Sequence, residues 1–131
     1  MYDYFVNVQA DEPLLNTKLV EGIINNFKKG AFNVAVSNLD DNYINNTSEV
    51  KAALSFENRI RFASRSIIPF ARDESACLYK IHGVYSYDIE TLNRFIESPV
   101  GPLENIEKVE QLRCIENDIP IYGVKTDGSE N

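Results

Sequence analysis

The chain has 131 residues, enough for one domain with a real core. A formal charge of −7 argues against a nucleic-acid surface and an anionic membrane surface, both of which need clustered Lys and Arg. No apolar run approaches the roughly 18 residues that span a bilayer. Residues 1–10 lack the basic stretch and small-residue cleavage site of a signal peptide, so the chain reads as cytoplasmic. Cys77 and Cys114 stand apart and there is one histidine, which excludes a zinc site and leaves two buried thiols in a reducing compartment as the expectation.

Tyr4 to Gln9 is a β-rich run that gives way to the polar turn Ala10-Asp11-Glu12-Pro13, with Pro where a helix begins. Leu15, Leu19, Ile23 and Phe27 recur every fourth residue, the apolar stripe of an amphipathic helix, and Gly30 closes it. Phe32 to Val36 is the next strand. A strand–helix–strand unit predicts a parallel sheet. Asn38 to Ser48 is a loop, in which turn chemistry accounts for Asp40 and Asp41. Val50–Phe56 and Arg59–Ala63 form a predicted hairpin.

Ile67 to Asp73 reads as irregular, Leu78 to Tyr87 as a long tyrosine-rich strand, and Asp88 as the N-cap of a helix to about Glu97. After the turn Ser98–Pro102, one helix is expected from Leu103 to about Glu116, then a last strand over Ile119–Val124. The fold class is therefore α/β, with a mixed sheet, helices packed on it and an antiparallel middle section. Parallel strands are normally flanked by neighbours. Here the first strand starts near residue 4, which predicts a sheet completed by residues or a chain outside this sequence.

Gln9–Pro13 lies at the carboxyl end of a strand, where ligands collect in open α/β sheets. A carboxylate there can hold Mg²⁺, which favours oxygen ligands and bridges to phosphates. Read alone, Asp11 is a helix N-cap before it is a metal ligand.

Val6-Asn7-Val8-Gln9-Ala10-Asp11-Glu12-Pro13 closely resembles the Val-Asn-Val-Gln-Gly-Asp-Glu-Pro motif of the CMP-Kdo synthetases, the 3-deoxy-manno-octulosonate (Kdo) cytidylyltransferases. Phe62–Asp73 resembles that family's Phe-Ser-Arg-x-x-Ile-Pro segment, and Tyr79–Tyr87 its Gly-(Ile/Val)-Tyr strand. Pro102–Arg113 resembles its Pro-Leu-Glu-x-x-Glu-x-x-Glu-Gln-Leu-Arg helix. Four segments in the family's order cover most of the chain.

The resemblance implies a nucleotidyltransferase-like fold and transfer of CMP from CTP to Kdo or a related sugar acid, with pyrophosphate released, Mg²⁺ as cofactor, and lipopolysaccharide or capsule synthesis as the setting. Such chemistry rests on positioning and charge neutralisation. Asp11 is then the catalytic metal ligand and Gln9 a nucleotide contact. Arg65 and Arg72 face the sugar carboxylate, which a guanidinium can hold bidentately; surface salt bridges are the alternative. Glu104, Glu107 and Gln111 lie three and four apart on one helix face, placed to meet sugar hydroxyls; a solvated face with a Glu104–Lys108 pair is the alternative. Lys51 is a further phosphate or sugar contact, and Tyr85 borders the sugar site. His82 sits one place later than the family's histidine, so it points to the opposite face and takes no role.

The chain departs from the family pattern in three respects. Nothing in it matches the basic Gly-rich loop that cradles CTP phosphates, nor the second metal-binding Asp, so it is read as the central and C-terminal part of the family's chain, lacking the N-terminal nucleotide-binding portion. Ala10 stands where the family has Gly. Besides the enzyme, a non-catalytic dimerisation and sugar-binding domain derived from the family is the other reading, and an acylneuraminate cytidylyltransferase a third. The resemblance also implies a homodimer around the hairpin from Val50 to Ala63 and the strand from Leu78 to Tyr87, and Ala52, Leu54 and Phe56 alternate opposite Ile60 and Phe62 to give an apolar face. The alternative is that this face packs on the helix from Leu103 within one chain.

Overall fold

The computed structural model describes residues 4–8, 17–40, 44–72 and 77–126. In chain order the elements are β1 (Tyr4–Val8), α1 (Thr17–Asn25), β2 (Phe32–Asn38), β3 (Lys51–Leu54), β4 (Ile60–Ser64), β5 (Tyr79–Asp88), α2 (Ile89–Glu97), α3 (Pro102–Glu107), α4 (Gln111–Glu116) and β6 (Ile121–Lys125). The expected strands, hairpin, irregular segment and first two helices all appear, with ends shifted by a few residues.

One mixed sheet carries the fold, in the order β4-β3-β5-β2-β6, with β1 also paired to β5. Its long middle strand, β5, is antiparallel to β1, β2 and β3. Ser86 pairs with Val6 on one side and Asn33 on the other, so β1 and β2 run parallel with β5 between them. The strand–helix–strand expectation thus holds for direction, but a third strand is inserted. The parallel ladder is β2 with β6.

Alternation along β5 divides the molecule into two packed faces. Val84 joins Leu19 and Ile23 of α1, with Ala35 and Val124, on one face. On the other, Val34, Val36, Ala52, Ile60 and Ile121 pack with Cys114, while Tyr85, Tyr87 and Phe95 lie against them. A third small cluster of Ala63, Val109 and Leu112 anchors the hairpin to α4. The predicted apolar face of the hairpin is therefore mostly covered within the chain, because α4 lies over it. Phe56, at the tip, is the exception at 97% exposure.

Asp88 joins the two halves of the chain. Its Oδ1 accepts from Thr91 N at 2.8 Å as the N-cap of α2, and its Oδ2 accepts from Gly30 N at 2.8 Å. Gly30 has φ +80°, the left-handed conformation that favours glycine, but it lies in the turn before β2 and does not close α1, which ends at Asn25.

The single helix expected from Leu103 to Glu116 is two helices. Lys108 takes the left-handed conformation, φ 59° and ψ 45°, and ends α3. Tertiary bonds explain the break, because the Arg65 guanidinium captures the carbonyls of Glu107 and Lys108 at 2.8 and 3.0 Å. The turn also lets Val109 enter the core. Glu116 then bends back to accept from Leu103 N and Glu104 N at 3.1 Å each, capping α3 from the end of α4. A Cβ on Gly101 would overlap that carboxylate.

Candidate functional site

Beneath α2 and α4, on the Tyr85 face of the sheet, is a cavity of about 210 Å³. Its polar lining is Asn7, Tyr85, Tyr87, Glu110 and Gln111, and Phe32, Leu92, Phe95 and Ile121 supply apolar surface. Gln111 Nε2 donates to Tyr85 Oη at 2.6 Å, fixing an amide and a phenol side by side. Phe95 is clamped from behind by Arg113, whose guanidinium lies 4.5 Å from the ring centroid and makes bonds of 2.9 and 2.8 Å to the Glu104 carboxylate. Aligned amide, phenol and carboxylate groups over apolar walls suit a ligand with hydroxyls on a carbon skeleton. No Lys or Arg is among the described lining residues.

Cys114 also lines this cavity, but burial pushes its thiol up to about 12, so it stays protonated and serves as wall. Cys77, expected to be buried, is exposed.

Of the residues singled out from sequence, the structure brings Tyr85 and Gln111 together on the cavity. Others have structural work. Glu104, expected as a sugar contact, is buried and paired with Arg113, and the alternative Glu104–Lys108 pair does not form; Lys108 Nζ donates to Asn105 Oδ1 at 3.1 Å instead. Glu107 accepts from Ser64 Oγ at 3.0 and 2.8 Å and from Arg65 N at 2.7 Å. Arg65 donates to the carbonyls of Glu107, Lys108 and Thr47, which commits its guanidinium to holding β4 against α3.

Lys51 is fully buried, its Nζ donating to the carbonyls of Asn46 and Arg65 at 2.7 and 2.9 Å. Desolvation lowers its pKa from the usual lysine value, opposed by nearby Glu49. Short internal bonds thus occupy the polar atoms of Lys51, Arg65 and Glu107, from each of which a ligand contact was expected. Arg72 is exposed. Gln9 and Asp11 lie outside the described residues, and among those described no three His, Cys, Asp or Glu side chains gather to hold a metal.

Glu110 and Asn7 line the cavity but were missed from sequence. In one continuous helix, Glu110 falls off the Glu104–Glu107–Gln111 face; the break at Lys108 resets the rotation. Its position beside Gln111 was the available signal. His82 faces away from the cavity, as expected, and shares a 2.7 Å hydrogen bond with Ser37 Oγ.

Residues 1–121 match the cytidylyltransferase family. The 3-deoxy-manno-octulosonate cytidylyltransferase of Elusimicrobium minutum is 34% identical over 131 residues, covering 93% of this chain and 54% of its own. The 8-amino-3,8-dideoxy-manno-octulosonate cytidylyltransferase of Shewanella frigidimarina is 36% identical over 120 residues, covering 87% and 49%. A solved CMP:2-keto-3-deoxy-manno-octonic acid synthetase complexed with CTP superposes with TM-score 0.81 at 26% identity, over 94% of this chain and 53% of that one. The chain thus spans about half the length of the relatives it matches. No helix among the described residues is long and apolar enough to cross a membrane. On the match over residues 1–121, with the superposition in support, the chain belongs to the cytidylyltransferase family.

Proposed function

We propose that this chain forms the sugar-acid side of a CTP-dependent cytidylyl transfer, with Kdo or its 8-amino relative as acceptor. The observation that carries this reading is the cavity with its Gln111–Tyr85 hydrogen bond. The Tyr85 hydroxyl, the Gln111 amide and the Glu110 carboxylate would bind sugar hydroxyls, with Phe32 and Phe95 against the carbon chain. Arg72, which is exposed, is the residue of this chain proposed to meet the sugar carboxylate in this reading.

In the transfer, the sugar hydroxyl oxygen forms a bond to the α-phosphorus of CTP. The bond to the β-phosphate oxygen breaks, pyrophosphate leaves, and the hydroxyl proton passes to solvent. Gln9 and Asp11, just beyond β1, would lie on the nucleotide side. Mg²⁺ would neutralise phosphate charge there, with Asp11 as a ligand and further donors coming from outside the described residues. The residues of this chain orient the acceptor and exclude water from its carbon skeleton.

A non-catalytic sugar-binding domain of the same family is the second reading, favoured by the structural commitment of Lys51, Arg65, Glu104 and Glu107. We also retain a homodimer around the hairpin, resting now on exposed Phe56 alone. Pyrophosphate release from CTP and Kdo separates the two readings. The 131-residue chain alone is expected to release none, and to gain activity with the remaining part of a relative's chain. Sugar binding without activity in that mixture would favour the non-catalytic domain; absence of sugar binding would overturn both.

A further inference from the structure

The outermost strands of the five-strand path, β4 and β6, curl toward each other. They meet where Arg59 bridges Tyr122 and Gly123 N donates to Asn58 O at 2.8 Å. Beyond that junction the seam opens into a cavity of about 120 Å³, bounded by Arg59 and Arg61 on the β4 side, Ile121 of β6, and Asp118 after α4.

We propose that this seam is a binding niche for a small tetrahedral oxyanion of the phosphate type. Arg59 and Arg61 make no side-chain hydrogen bond or ion pair among the described residues. By contrast, Arg65, Arg94 and Arg113 each donate to a carbonyl or a carboxylate. Two uncommitted guanidiniums beside one cavity run against the acidic character of a chain with charge −7.

Guanidinium forks match oxyanions bidentately, and a tetrahedral anion can offer different oxygen pairs to two of them. At about 30 Å³ per water molecule, a cavity of about 120 Å³ has room for such an anion. Asp118 is the acid among the described lining residues and offsets one cation, which leaves a net positive charge that draws a dianion more strongly than a monoanion. That disfavours a simple carboxylate. The niche also touches the candidate sugar cavity, since Cys114 and Ile121 line both. An occupant would press on a wall the two share.

Inorganic phosphate and pyrophosphate are two sources of this chemistry, and amide NMR titration with each, and with acetate, tests the niche. Saturable shifts are expected at Arg59–Arg61 and Asp118–Ile121, propagating to Cys114, with either phosphate species. Arg61 is exposed, so Arg61→Gln should fold normally; it should weaken binding about tenfold, the worth of one charge-assisted hydrogen bond. Lys18→Gln, in the first turn of α1 on the opposite face of the sheet, should leave binding unchanged and controls for bulk charge. Overturning results are no saturable shift in wild type, equal binding of acetate, or binding that survives Arg61→Gln unaltered.

Discussion

Gln111 and Tyr85 meet through a 2.6 Å hydrogen bond that ties α4 to the middle strand of the sheet and faces the candidate sugar cavity. If both groups also bind the ligand, removing either should harm binding more than folding. Tyr85→Phe and Gln111→Leu are each expected to weaken Kdo binding about tenfold, the value of a lost hydrogen bond to a polar ligand. Their unfolding free energy should fall by less than about 1.5 kcal/mol, one ordinary internal hydrogen bond. Calorimetric titration and urea unfolding read the two effects separately.

Arg65 and Lys51 should behave in the reverse way. Arg65→Lys discards the fork that holds three carbonyls, and Lys51→Met leaves two carbonyls without their donor. Each should lower stability by about 1–3 kcal/mol. Sugar affinity should stay within about twofold, well under the tenfold that 1.4 kcal/mol represents. A large rise in sugar KM or Kd with unchanged stability would return Arg65 to the site.

Asp88 gives a pH test. Burial alone would raise its pKa, but hydrogen bonds from Thr91 and Gly30, with Lys29 nearby, outweigh it and leave the carboxyl below the usual value of 3.8. The folded state therefore holds the proton less tightly than the unfolded state. The stabilisation is fully present above about pH 4 and is lost as pH falls through the folded pKa. Asp88→Ala should cost about 1–2 kcal/mol at neutral pH, the usual loss of an N-cap. The gap between wild type and Asp88→Asn should shrink on acidification. A gap constant down to pH 2 would contradict the assignment.

Assembly can be read by light scattering at micromolar concentration. A homodimer around the hairpin predicts twice 14.9 kDa, reduced to the monomer mass by Phe56→Glu. A wild-type monomer would remove the dimer, and a dimer surviving Phe56→Glu would place the interface elsewhere.

The sequence made local structure readable where one residue type decides it. Asp88 ahead of an amphipathic stretch marked α2, whereas Gly30, read as the end of the first helix, lies in a turn beyond α1, which ends at Asn25. It did not reveal that β5 lies between β1 and β2, because that order depends on pairings between residues far apart in the chain. The break at Lys108 was hidden for a related reason: nothing in the local pattern of Pro102–Glu116 stops a helix, and the guanidinium that does so comes from Arg65, just after β4. Site residues show the same division. Tyr85 and Gln111, singled out from sequence, both line the cavity, whereas Lys51 and Glu107 have types suited to ligands and make internal bonds to neighbours that only the fold supplies.

Titration of the 131-residue chain with Kdo by calorimetry, wild type beside Gln111→Leu, addresses the central claim most directly. The proposed function predicts saturable one-to-one binding by wild type and at least about tenfold weaker binding by the variant, in line with one lost polar contact. No binding by wild type, or equal binding by a well-folded Gln111→Leu, would contradict it.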